Sequence, residues 1–182
     1  MKTSFKIHAG LQLALGVGAL LMSGLTSVPG VSLNMKTGLL FGICLALLLP
    51  LHAATIFRSI NLDFRSGGAV SNKSLQWQAL RNLPRLVHVF LVGVGLAGAA
   101  LLSGATSTSV DHLSGGEASY GRYTAVDTTD PHRRRIAVTK SEYDRLQEQE
   151  QRTMFAIYGL IAAGGGAFTL MVAELDASTR RS

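Results

Sequence analysis

With 182 residues, 47% of them hydrophobic and 15% charged, the chain is too apolar for a disordered polypeptide and too short for a second large domain. Its net charge of +6 does not mark a nucleic-acid surface, because the basic residues are sorted by segment and not gathered on one face. A single cysteine, Cys44, excludes an internal disulfide and a thiolate metal cluster.

Four apolar runs, 9–29, 37–57, 86–105 and 154–173, set the expected fold class: an all-α membrane protein, a four-transmembrane-helix bundle in one domain. About 20 residues at about 1.5 Å per residue cross a hydrocarbon core of about 30 Å. The runs show no alternation of period two, so helices and not barrel strands must satisfy the backbone in lipid.

Met1–Lys6 looks like the charged start of a signal peptide. The following run exceeds a signal core and no A-x-A site closes it, so a retained first span is expected. His8 opens that span, and Gly10, Ala14 and Gly18 form a small-residue stripe along it. The second run contains Cys44, Pro50 and His52, with Pro50 expected to kink the helix and free a carbonyl. Segment 58–85 is a polar loop containing Ser74–Leu83. Leu75, Trp77, Leu80 and Leu83 there are expected to share one side of a short interfacial helix leading into Pro84.

The third run opens on His88 and carries Gly95, Ala99 and Ser103 in a second stripe. At an offset of 80, nine of the twenty positions from His8 to Ser27 match their counterparts, including the terminal SG-x-TS. The match predicts a 2+2 parallel repeat of helical hairpins, a device of transporters and of structural bundles alike. Residues 106–152 begin as a Ser/Thr/Gly-rich linker. Tyr123–Val126 and Ile136–Thr139 then read as strands of a hairpin around Asp130-Pro131. Arg133, Arg134 and Arg135 are expected to be neutralised by Asp127 and Asp130. Ser141 with Asp144 reads as a helix start, with Glu142–Arg145 and Glu148–Arg152 as surface pairs, and nothing then interrupts the helix before the fourth span. That span carries a third stripe, Gly159, Ala163 and Ala167. Its Gly164-Gly165-Gly166 is expected at a kink or a close helix crossing.

Charge asymmetry supplies the orientation. The N-terminus, segment 58–85 and the C-terminal tail together hold nine basic and three acidic residues, whereas the other two loops taken together are neutral. Lys/Arg excess marks the cytoplasmic side, so both termini are expected inside and 106–152 extracytoplasmic. The Gly/Ala/Arg-rich, Lys-poor composition fits a bacterial plasma membrane.

His8, His52 and His88 fall at one expected depth, near Glu174, and are the candidate metal ligands. Two imidazoles on different helices hold a haem axially, and three suit a transition metal. Against this, histidines near helix ends are commonly wetted at the interface, and no pair has i,i+4 spacing within one helix. Asp and Glu are absent from the span interiors, which argues against a proton-coupled carrier; only Gln12, Ser23, Thr26, Ser103 and Thr169 would line a pore. No H-E-x-x-H, P-loop, placed Ser/His/Asp set or strand-linked G-x-G-x-x-G occurs, and no catalytic residue is assigned. The expected function is a non-catalytic accessory, assembly or stabilising subunit of a larger membrane complex. Its partners would be the lipid bilayer and other membrane subunits or copies of itself, with no nucleic acid. The alternatives are a small oligomeric channel or transporter and a histidine-ligated haem or metal protein.

Overall fold

The computed structural model describes residues 3–26, 28, 37–105 and 112–180. In chain order these form α1 (Thr3–Leu25), α2 (Thr37–Ser66), α3 (Lys73–Arg81), α4 (Arg85–Ala105), β1 (Leu113–Ser119), β2 (Arg122–Asp127), β3 (Arg135–Ala137) and α5 (Lys140–Thr179). Helices α1, α2, α4 and α5 are each long and apolar enough to cross a membrane, so the chain is a multi-pass membrane protein.

The spans differ from their apolar runs at the ends. Helix α1 starts at Thr3, six residues before its run, and ends at Leu25 with a turn at Thr26; of the rest of the expected run, residues 27 and 29 lie outside the described residues. Helix α2 continues nine residues past Phe57, through what reads as polar loop. Arg58, Asn61 and Arg65 take one face of this extension while Phe57, Ile60 and Phe64 take another, so the stretch is amphipathic and has no breaker. Gly67 and Gly68 end it with φ of +67° and +100°. The helix continues unbroken past Pro50.

Helix α5, 40 residues long, would measure about 60 Å, twice the hydrocarbon thickness. Its cap lies two residues before Ser141. Thr139 is the N-cap, in a capping box with Glu142: the Thr139 hydroxyl accepts from the Glu142 N–H (3.2 Å), and Glu142 accepts from the Thr139 N–H (2.7 Å). Glu142 therefore serves the helix start.

The three transmembrane neighbours pack on α5 as a mast. Helix α1 lies between α2 and α4 and touches both, whereas α2 and α4 share no contact among the described residues. At one end Phe5, Leu62, Ala79, Met171, Val172 and Leu175 form a core that includes α3. Asn72 caps α3 by accepting from the Ser74 and Leu75 N–H groups. Its buried side is Ala79 and the following Leu83, with Leu75 and Trp77 exposed. Of the four residues expected on one side of this helix, Leu83 is buried, Leu80 is half-buried, and Leu75 and Trp77 are exposed.

At the other end β1, β2 and β3 form an antiparallel meander against the first turns of α5, around Leu113, Ala125 and Leu146. The sequence pattern points to two strands; β1, in Leu113–Ser119, is the one it misses. Tyr120 (φ +48°) and Gly121 (φ +76°) make the two-residue turn between β1 and β2, both in the left-handed region a type I′ turn requires. A bulge at Gly115 (φ +61°) shifts the register between Ser114↔Val126 and Glu117↔Thr124. Arg134 pairs with Asp130 (3.4 Å) and Arg135 pairs with Glu117 across the sheet.

Candidate functional site

Hydroxyl and amide groups buried in hydrocarbon must find partners within the protein. In the first half of α1, Gln12 is fully buried and meets Thr55 of α2 and Thr169 of α5, which are 3% and 0% exposed. The Thr55 and Thr169 hydroxyl oxygens are 2.8 Å apart, the Thr169 hydroxyl donates to Gln12 Oε1 (2.8 Å), and Gln12 Nε2 donates to the Thr55 hydroxyl (3.4 Å). With Thr55 donating to Thr169, the three groups close a ring in which each donates and accepts. This knot ties three spans together at one level.

His8 extends the knot. Its Nε2 lies 2.9 Å from the Leu51 carbonyl and 3.0 Å from the Thr55 hydroxyl. A carbonyl only accepts, so Nε2 carries the proton and is not a free lone pair for a metal. His52 donates from Nδ1 to the Leu48 carbonyl (3.2 Å), which turns its Nε2 toward α5. There Gly165 makes room: a β-carbon at Gly165 would lie 2.5 Å from His52 Nε2 and 3.0 Å from Gln12 Nε2. The glycine run thus serves a close three-helix crossing. His88 bonds within its own helix, Nδ1 to the Pro84 carbonyl (3.3 Å). His8 and His52 therefore approach one crossing while His88 sits apart on α4, and no three His, Cys, Asp or Glu side chains among the described residues are grouped to hold one ion.

Of the polar groups expected to line a pore, Gln12, Ser23, Thr26 and Thr169 are buried in the bundle, whereas Ser103 is exposed on α4 and donates to the Ala99 carbonyl of its own helix (2.8 Å). At the sheet end of α1 the Ser23 hydroxyl donates to the Arg152 carbonyl (2.9 Å), and Arg152 Nη2 donates to the Thr26 carbonyl (3.0 Å). Thr55 is the member of the knot that sequence reading passed over. The signal was a lone hydroxyl in an otherwise apolar run, which in lipid implies a partner.

The small-residue stripes are divided between inside and outside. Gly16 of α1 and Gly159 of α5 meet backbone to backbone: a β-carbon at Gly16 would lie 2.9 Å from both the Gly159 carbonyl and the Ala163 nitrogen. Gly159 and Ala163 thus build the bundle itself. Gly10 and Gly18 of α1, and Gly93, Gly95 and Gly104 of α4, have nothing within 4 Å of the position a β-carbon would take. Helix α4 engages the bundle through Val94, Gly98 and Leu101, beside Leu20, Leu160 and Ala163. Only 11% of the residues in its apolar stretch are buried, against 50% in α5.

Because α2 and α4 do not meet, one side of α5 is left open along Ile157, Ile161 and Gly164, which are all exposed. On the α2 flank this side deepens into an apolar groove of about 620 Å³ lined by Phe41, Leu45, Leu48 and Met154 and closed toward the sheet by Leu113 and Glu150. Tyr158 borders the groove; its hydroxyl oxygen is buried and has no hydrogen-bond partner among the described residues. No protein-family model, curated protein or solved structure matches this chain.

Proposed function

We propose that the protein is a non-catalytic accessory subunit of a larger membrane complex, and that a transmembrane helix of its partner packs along the open side of α5. The observation that carries this reading is the missing wall of the bundle. Three spans surround α5, yet Ile157, Ile161 and Gly164 remain uncovered between two helices that never touch. Gly164 has open space over it, which lets another backbone approach closely. The unpartnered Tyr158 hydroxyl, at the edge of the same groove, would gain a partner from a polar group on the incoming helix. The sorted basic residues support insertion in the plasma membrane with both termini, α2's extension and α3 cytoplasmic and the sheet extracytoplasmic. The sheet would then present the complex with a surface outside the bilayer.

Solubilisation of the native membrane in mild detergent, followed by mass spectrometry of what co-purifies, tests the proposal. One membrane protein at fixed stoichiometry is expected. Its loss is expected in Gly164→Phe and Ile161→Trp, whose side chains point out of this chain's own core, with the thermal stability of the subunit unchanged. A homo-oligomer without a partner would overturn the accessory reading in favour of a self-sufficient channel or transporter.

A further inference from the structure

Away from the open side and at the end opposite the sheet, three arginines converge between α1, α2 and α5. They line a cavity of about 200 Å³ with Ser4, Asn61 and Asp176: Arg58 and Arg65 come from α2, and Arg180 follows α5. The one acid is already engaged, since Asp176 Oδ1 accepts from Arg180 Nε (3.2 Å) and Nη2 (3.0 Å). Arg58 has no such partner: its Nη1 is buried without a hydrogen bond among the described residues, and its guanidinium carbon lies 4.9 Å from the Phe5 ring centroid. A guanidinium placed at the end of an apolar span and left with an unmatched N–H is costly unless an anion joins it.

The other side of the same helix segment is apolar. Phe57, Ile60 and Phe64 stand out from α2, 75%, 48% and 86% exposed, and form a groove of about 350 Å³ whose wall is shared with Arg58 and Asn61. A charged pocket and an apolar groove therefore meet at two residues, Arg58 and Asn61. Trp77 of α3, exposed at this end of the bundle, is the kind of residue that sits at headgroup level.

We propose that this pocket binds the phosphate group of an anionic phospholipid, with one acyl chain lying along Phe57, Ile60 and Phe64. Arginine forks match phosphate oxygens in two-point fashion, and Ser4 and Asn61 add neutral donors for the remaining oxygens. A free phosphate ion would have the same chemistry at the arginines and no use for the apolar groove. The groove is the reason to name a lipid. The inference stands apart from the partner site on α5, which lies on other residues.

The test is native mass spectrometry of the full-length protein in mild detergent. Dioleoyl phosphatidylglycerol, dioleoyl phosphatidylcholine and inorganic phosphate are added in parallel. Phosphatidylglycerol is expected to be retained with about tenfold preference over phosphatidylcholine, and Arg58→Gln to remove about that factor. Arg81→Gln, which removes a basic residue outside the pocket, is expected to change nothing. Arg180→Gln, at an exposed position, gives a second reading should Arg58→Gln fail to fold, with a several-fold loss expected. Phe64→Ala is expected to weaken the lipid alone. Equal retention of the two lipids, or equal effects of Arg58→Gln and Arg81→Gln, would overturn the site. Inorganic phosphate binding as tightly as the lipid would keep the anion pocket and overturn the lipid as its source.

Discussion

Thr55 and Thr169 place their hydroxyl oxygens 2.8 Å apart at the crossing of α2 and α5, with Gln12 of α1 bonded to both. Each span contributes one short polar side chain, and each depends on the other two. Thr169→Val keeps the shape and removes the donor to Gln12 Oε1. A loss of about 1–2 kcal/mol is expected, between the average membrane side-chain bond and the cost of an unmatched buried group. Thr169→Ser should be close to neutral. A cycle with Thr55→Val should show coupling of at least about 0.5 kcal/mol in reversible unfolding; strict additivity would show that the ring does not act as a unit.

Gly16 and Gly18 lie two positions apart on α1, yet their surroundings are opposite. A β-carbon at Gly16 would lie 2.9 Å from α5 backbone, while Gly18 has nothing within 4 Å. Gly16→Ala is expected to push α1 off α5 and cost about 1–3 kcal/mol. Gly18→Ala should be neutral or stabilise by up to about 1 kcal/mol through helix propensity. Thermal unfolding of the two variants side by side checks this, and equal effects would contradict the close crossing.

Thr139→Ala removes the hydroxyl that accepts from the Glu142 N–H and opens the capping box. A loss of about 1 kcal/mol is expected. It should be confined to the first turns of α5 and the sheet packed on them. Amide exchange should rise around Tyr143–Leu146 and leave the transmembrane part of α5 unchanged.

Asp127 gives the sheet a dependence on acid. Its carboxylate accepts from the Thr129 hydroxyl (2.6 Å) and the Thr129 N–H (2.8 Å), bonds that hold it below the usual carboxylate range. The unfolded chain then binds the proton more readily than the folded one. The contribution is complete above the ordinary value of about 4 and is lost as pH falls through the lowered folded value. Amide protection in β2 and the following turn should therefore be flat from neutrality to about pH 4 and decline below it. In Asp127→Asn that decline should be smaller, and an unchanged acid profile would assign it to another group.

What the sequence by itself determined was set by solvent. Long runs without charge have one stable form in lipid, so the four spans and their approximate bounds follow from composition, with α4 found within one residue of its run. The polar extension of α2 was less legible because Arg58, Asn61 and Arg65 read as loop by content and as an amphipathic helix only by spacing. Strand β1 was hidden for a related reason: Ser114, Gly115 and Gly116 carry no alternation, and a bulge breaks what little there is. Three-dimensional packing alone decided which small residues face inward. Gly16 and Gly18, or Gly98 and Gly95, are equivalent as letters, and their burial depends on how each helix is rotated about its axis. The same holds for the polar groups. Gln12, Thr55 and Thr169 are separated by up to 157 positions, and a hydrogen bond between them exists only once three helices cross at one level. His8 and His52 reached that crossing and His88 did not, because equal depth in a membrane does not fix position around a bundle.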